Sequence, residues 1–544
     1  MAFSAKGITH RSTATGRRGM IAAAHPLASL AGMRILMEGG NAIDAAIATA
    51  AALNVVEPYM SGIGGVGYLH IYSARAKEHK IVDYVGLTPR AATLSLYDKN
   101  DKQEHGPLSP LVPGACGGWL AALERYGSMD AARVFAPAIE YAEQGYALTV
   151  KNAYFYAGAA PSLRRFKTGA DTYLLAGAAP EPGEVVVQKA LADTFRQVAA
   201  EGADGFYKGA IADHIVRYME ETGGLITKED LADFRPAFIA PISINYRDYE
   251  VFAPPPPCQA VQYLETLAIM EGFDVAGLGH NTAATLHRFI EATKLAMADR
   301  IAYAAIDNPP TTGLLSKEYA AERRLLIGEK AQFTAGDHLV PGGPSGEVKA
   351  GDPRTWMSEC TTHFDTIDAD GNAVACTQSL GGAFGSSMVV PETGVALNNF
   401  MRWFDREPTS PNVIGPAKKN EMCVSPAQVW DAAGLRLLIG TPGSYGILQT
   451  TPQMIMNILD HQLNVQAAIE APRVKTGSPG FVVDAENRID REVFAELEHR
   501  GHQFNFLGDW SPGVGGGQGI MVDADTGSFM GGADPRRDGY ALGW

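Results

Sequence analysis

The residues best suited to chemistry are Cys360-Thr361-Thr362-His363-Phe364, about two-thirds of the way along a chain of 544 residues. A threonine hydroxyl is a poor nucleophile, but it becomes a good one when the peptide bond before it is cut. The freed α-amine then acts as its base. A cut before Thr361 would divide the chain into residues 1–360 and 361–544. Three readings fit the pentapeptide. Threonine pairs often open β-strands, which threonine favours. Cys360 as the reactive residue is the second reading, yet nothing near it in sequence marks a catalytic thiolate. Thr361 as an N-terminal nucleophile is the third reading. The five residues alone leave all three open and weigh toward the first.

A second feature carries clearer physics. Leu435–Gly440 reads as a buried strand that runs into Thr441-Pro442-Gly443-Ser444-Tyr445-Gly446, with a helix from about Ile447 to Asp460. A glycine turn from strand to helix presents unpaired N–H groups at the positive helix end. It can hold an anion or the oxyanion of a tetrahedral intermediate, or it can simply be a tight connection. His363 reads as a structural histidine. No HExxH, GxSxG or phosphate-loop pattern occurs, so neither a cofactor nor a metal is expected.

Around these residues the chain alternates strand and helix signals. Strands are expected at Met20–Ala23, Tyr68–Tyr72, Lys80–Tyr84 and Tyr249–Phe252. Helices are expected at Pro26–Met37, Ala42–Val55, Ala131–Ala142, Ala190–Ala200, Ala210–Glu221, Val261–Glu271, Ala283–Ala304 and Tyr319–Ile327. Thr227 to Asp230 resembles a capping box. Residues 330–360 are rich in glycine and proline and read as a flexible, exposed segment. Strand signals follow at Thr362–Ile367 and Ala373–Gln378 around an Asp370-Gly371 turn, an arrangement that suits a new N-terminus held at a sheet edge.

Bulk composition narrows the classes. Hydrophobic residues make up 46% and charged residues 19%, as in compact globular proteins. The net charge of -15 argues against a nucleic-acid partner or attraction to anionic membranes. The longest apolar stretch, Ala45–Val56, falls short of the roughly 20 residues of a membrane span. Five cysteines without a CxxC pair indicate neither a disulfide framework nor a zinc cluster. With no secretory signal in residues 1–20, the expected compartment is the cytoplasm.

Taken together, the motifs resemble the γ-glutamyltranspeptidase family. Glu38 to Ala46, Pro58 to Gly65, Gly223 to Leu231, Pro254 to Pro257, Thr361 to Phe364, Asp370 to Val374, Gly440 to Gly443 and Asp534 to Arg537 follow the family's order across residues 19–540. The resemblance implies an α/β fold, a stacked α/β/β/α sandwich of the N-terminal-nucleophile hydrolase type. It also implies autocleavage between Cys360 and Thr361. Residues 1–360 would be the large subunit and 361–544 the small catalytic one, together forming one composite domain. The processed subunits would stay associated, with higher oligomers left open. Thr361 would be the nucleophile, Ser379 the hydroxyl that orients it, and Gly443 and Ser444 the oxyanion donors.

The substrate clamp departs from the family pattern. The position that matches the family's carboxylate-binding arginine is Val85. The matching serines are Met422 and Cys423, and the acidic residue that would hold the ammonium is Trp403. A polar position is Phe400 and an asparagine is Gly381. Charges without partners bind poorly, so these positions suit a flatter, less polar acyl group. Arg402 or Arg90 would be able to hold a single substrate carboxylate. The expected protein is therefore a self-processing amidohydrolase or acyltransferase on a small non-γ-glutamyl amide. The alternatives are a true glutathione hydrolase or γ-glutamyltransferase and, in another class, a non-maturing binding protein of the same fold.

Overall fold

The computed structural model describes residues 6–7, 9–98, 101–331, 359–476 and 482–544. Most of the glycine- and proline-rich segment expected at 330–360 lies outside the described residues. Two seven-stranded antiparallel sheets form the centre. The first runs Tyr540–Gly543, Gly19–Ala23, Glu359–Asp368, Ala373–Gly382, Val66–Ser73, Glu78–Asp83, Ala237–Ile239. The second runs Ala14–Gly16, Phe529–Ala533, Gln518–Val522, Gly434–Gly440, Ala427–Asp431, Tyr249–Ala253, Ile242–Tyr246.

The sheets stack face to face, with Met20, Ile367, Ala375, Leu438 and Ile520 between them. Helices Pro26–Met37 and Ala42–Val56 cover the outer face of the first sheet. Val261–Glu271, Ile447–Leu459 and Val465–Glu470 cover the second. This is the four-layer α/β/β/α arrangement, and each sheet draws strands from both sides of residue 360.

Helix Ala42–Val56 shows how sequence positions the site. Asn41 accepts from the N–H groups of Ile43 and Asp44, and Asp44 accepts in return from the Asn41 N–H. Every residue of the helix is buried, and its alanines allow close approach to the Glu359–Asp368 strand. On that strand, period-two alternation sends Thr362, Phe364 and Thr366 toward the helices. Thr362 bonds Glu57, and Thr366 bonds the Ala42 carbonyl at 2.7 Å. His363, Asp365 and Ile367 share the opposite face.

Most expected elements occur within a residue or two of their expected ends. The helix expected to end at Ala200 runs on to Tyr207 across a kink at Gly202, and the strand expected to end at Gln378 runs on to Gly382. Three further expectations need correction. The strand begins at Glu359, before Thr361 rather than after it, because Glu359 and Cys360 already pair with Gly382 and Gly381. It lies inside the sheet rather than at its edge, although pairing with Gly19–Ala23 starts only at Phe364. The helix expected over Tyr319–Ile327 spans Lys317–Arg324, capped by Ser316. No helix among the described residues is long and apolar enough to cross a membrane.

Candidate active site

Thr361 sits at a bulge. Cys360 pairs with Gly381 and Thr362 with Gln378, so Ser379 and Leu380 together face Thr361. The bulge brings the Ser379 hydroxyl onto the peptide bond before Thr361. Ser379 Oγ donates to the Cys360 carbonyl at 2.5 Å and accepts from the Gly381 N–H at 2.8 Å. It also accepts from Thr361 Oγ1 at 3.3 Å. One donor and two acceptor sites are thus all used. Thr361 is only 5% exposed in the uninterrupted strand.

The Gly443 turn packs beside this strand. Gly443 has φ +130°, a conformation that strongly favours glycine, and Ser444 follows at φ 52°. Thr441 pins the turn: its hydroxyl accepts from the Gly516 N–H and donates to the Pro442 carbonyl, both at 2.9 Å. A short 3₁₀ turn, Ser444–Gly446, leads into helix Ile447–Leu459. Its first N–H groups have no helical acceptor of their own. The Ser444 hydroxyl is buried with no partner among the described residues.

Val85, Phe400, Trp403, Met422 and Cys423 all belong to the extended hydrophobic core that includes the second sheet, with Tyr445 packed against it. The Phe400 and Trp403 rings lie 5.0 Å apart. Gly381 has φ +103°, and a Cβ there would stand 2.1 Å from Asn399 Oδ1. That oxygen accepts from the Gly382 N–H at 2.7 Å. The glycine is therefore demanded by its neighbour rather than being only a missing side chain.

The two arginines offered for a substrate carboxylate already have partners. Arg402 pairs with Glu104 at 3.2 Å and lies over the Trp403 ring. Arg90 is 52% exposed and pairs with Asp230 and Asp233. His363 is fully buried between Thr377 and Asp365, as expected of a structural histidine. All five cysteines are buried, and none forms a disulfide among the described residues.

Some neighbours were not legible in the sequence. Glu57 accepts from the Thr362 hydroxyl at 3.0 Å. Burial pushes its carboxyl up to about 7, against the pull of Arg537 and Thr362. Arg300 lies over the Tyr445 ring at 4.7 Å. Nearby, Glu421 is raised by burial and opposed by Arg300 and Gln259.

Two stacked antiparallel sheets between helical layers, with a strand-borne threonine beside a glycine turn at a helix start, define an amide hydrolase of the N-terminal-nucleophile type. Residues 28–544 match the Gamma-glutamyltranspeptidase family model, and the chain belongs to that family. It is 37% identical to the Acylase ACY 1 proenzyme of Pseudomonas sp. strain SE83, over 97% of this chain and 94% of that protein. The Glutathione hydrolase proenzyme of Bacillus subtilis is 32% identical, over 98% and 93% of the two chains. The crystal structure of cephalosporin acylase from Bacillus halodurans superposes with a TM-score of 0.89 at 35% identity, covering 99% of this chain and 98% of that one. The protein is an enzyme of the self-processing amide hydrolase and transpeptidase class.

Proposed function

We propose that the chain cuts itself between Cys360 and Thr361 and then hydrolyses a small, non-γ-glutamyl amide through a Thr361 acyl-enzyme. The observation that carries this reading is the Ser379 hydroxyl held on both the Cys360 carbonyl and Thr361 Oγ1. In the first step Thr361 Oγ1 attacks the Cys360 carbonyl carbon, and Ser379 stabilises the developing oxyanion by its O–H. The C–N bond breaks and the nitrogen takes a proton, leaving an ester that water hydrolyses. The freed Thr361 amine then serves as base for attack on the substrate carbonyl. N–H groups of the Gly443–Ser444 turn receive the oxyanion, and the amine leaves. Water, or an amine acceptor, releases the acyl group.

The acyl side is assigned from Val85, Phe400, Trp403, Met422 and Cys423, which are themselves uncharged and lie in the hydrophobic core. The names of the acylase relatives point the same way. One observation favours the alternative, a glutathione hydrolase with a rebuilt clamp: Arg300 and Glu421 place opposite charges beside Tyr445 and near Cys423. Buried cysteines outside any disulfide fit a reducing compartment, and we place the enzyme in the cytoplasm.

Mass spectrometry tests self-cutting. Two fragments, the second beginning at Thr361, are expected from wild type and one whole chain from Thr361→Ala. An intact 57.9 kDa wild-type chain after long incubation would point instead to a non-maturing binding protein. A panel of γ-glutamyl, glutaryl, succinyl and aromatic acyl anilides tests the substrate. Preference for γ-glutamyl overturns the acyl assignment.

A further inference from the structure

We infer that His287, Glu291 and His502 form a binding site for one divalent transition cation, remote in sequence from the nucleophile and joining the two segments that flank the proposed cut. One ligand atom from each side chain lies within 4.8 Å of the others, and all three residues are buried. His287 and Glu291 stand one turn apart on helix Ala283–Tyr303, so they share a face. His502 follows helix Arg491–His499, which packs on that helix.

The hydrogen bonds fit a metal ligand set. His287 Nε2 lies 2.8 Å from the Gly328 carbonyl, which fixes that nitrogen as the donor. A backbone carbonyl on the far ring nitrogen is the usual orienting partner of a ligating histidine. His287 Nδ1 is left as an acceptor, 2.8 Å from His502 Nε2. The proton now between the rings occupies the place of the metal. Because His502 is the donor there, metal binding moves that proton to His502 Nδ1 as the ring changes tautomer, and the nitrogens part slightly, since metal–nitrogen bonds of about 2.0–2.1 Å at a tetrahedral angle set them roughly 3.3 Å apart. Two imidazoles and one carboxylate select borderline metals such as Zn²⁺ or Co²⁺ over Mg²⁺ or Ca²⁺.

Lys294 is the competing cation, with Nζ 2.7 Å from Glu291 Oε1. Arg500 also adds positive charge near both histidines. A metal must share Glu291 with the ammonium, so affinity is set by that competition. The location gives the site a role. His287 and Glu291 belong to residues 1–360 and His502 to 361–544, and the Ala331 N–H bonds the Arg500 carbonyl beside it at 2.8 Å. The binding site stands apart from the self-cutting proposal, whereas its role as a tie between two fragments rests on it.

The test uses tag-free full-length protein and its uncut Thr361→Ala form, each stripped with chelator and titrated with Zn²⁺, with Co²⁺ absorption as the spectroscopic probe. One equivalent per chain is expected in both forms, with tetrahedral-type Co²⁺ bands. His502→Asn is expected to weaken binding by roughly 100-fold or more. Lys294→Met, which leaves every ligand in place, is expected to tighten it. No saturable binding by either form, or equal binding by wild type and His502→Asn, overturns the site. Weaker binding by Lys294→Met overturns the assignment of Glu291 as a ligand. Binding by the uncut form alone would refute the tie while leaving the site intact.

Discussion

At the scale of single residues, Ser379 and Glu57 act on the two faces of the strand that carries Thr361. Ser379 touches the reacting atoms. Ser379→Ala leaves the Cys360 carbonyl and Thr361 hydroxyl without their shared partner, and self-cutting is expected to slow by about 10²- to 10³-fold. Timed gel analysis of freshly purified chain checks this; unchanged processing would remove Ser379 from the mechanism. Glu57 acts from beneath, through Thr362. Its folded value of about 7 lies above the ordinary 4.5. The fold therefore favours the protonated acid. Stability from this group is fully present below about 4.5 and is lost as pH rises through 7. Glu57→Gln stays neutral throughout. Relative to wild type it is expected to gain on the order of 3 kcal/mol between pH 4.5 and 8, read from denaturant midpoints. A pH-independent difference would show that Glu57 is not raised.

At the scale of elements, the Gly443 turn and the Ser379 bulge decide where donors point. Gly443→Ala forces a side chain onto φ +130°. The expected cost is about 1 kcal/mol or more of stability, with a fall in kcat of about 10²-fold as the N–H groups re-aim. A variant that loses stability but keeps kcat would leave the turn as a connection only. Gly381→Ala drives a Cβ against Asn399 and is expected to destabilise by roughly 1–3 kcal/mol. The double variant with Asn399→Ala is expected to recover part of that loss in thermal unfolding. Non-recovery would place the strain in the backbone angle rather than in the contact.

At the scale of the molecule, both sheets combine strands from both sides of residue 360. The Glu359–Asp368 strand lies between Gly19–Ala23 and Ala373–Gly382, and the latter pairs with Val66–Ser73. Neither fragment keeps a whole sheet by itself. After cutting, the two are expected to co-purify and to unfold in a single calorimetric transition. Two separate transitions would show independent domains at 1–360 and 361–544.

Much of this protein was legible in its residues because the signals are local. Thr227 with Asp230 caps a helix, glycine at 443 ends a strand in a turn, and the spacing of Thr361, Asp370 and Gly371 marks a hairpin. Ordered motifs on both sides of Thr361 then pointed to its family. The sequence alone also listed Val85, Phe400, Trp403, Met422 and Cys423 as altered positions, but not what surrounds them. Only the tertiary structure buried these five in one extended core, committed Arg402 and Arg90 to other carboxylates, and placed Glu57, Arg300 and Glu421 near the site. Those facts rest on contacts between residues hundreds of positions apart. Pairing register and stacked layers fix such contacts, and neither helical nor strand periodicity encodes them.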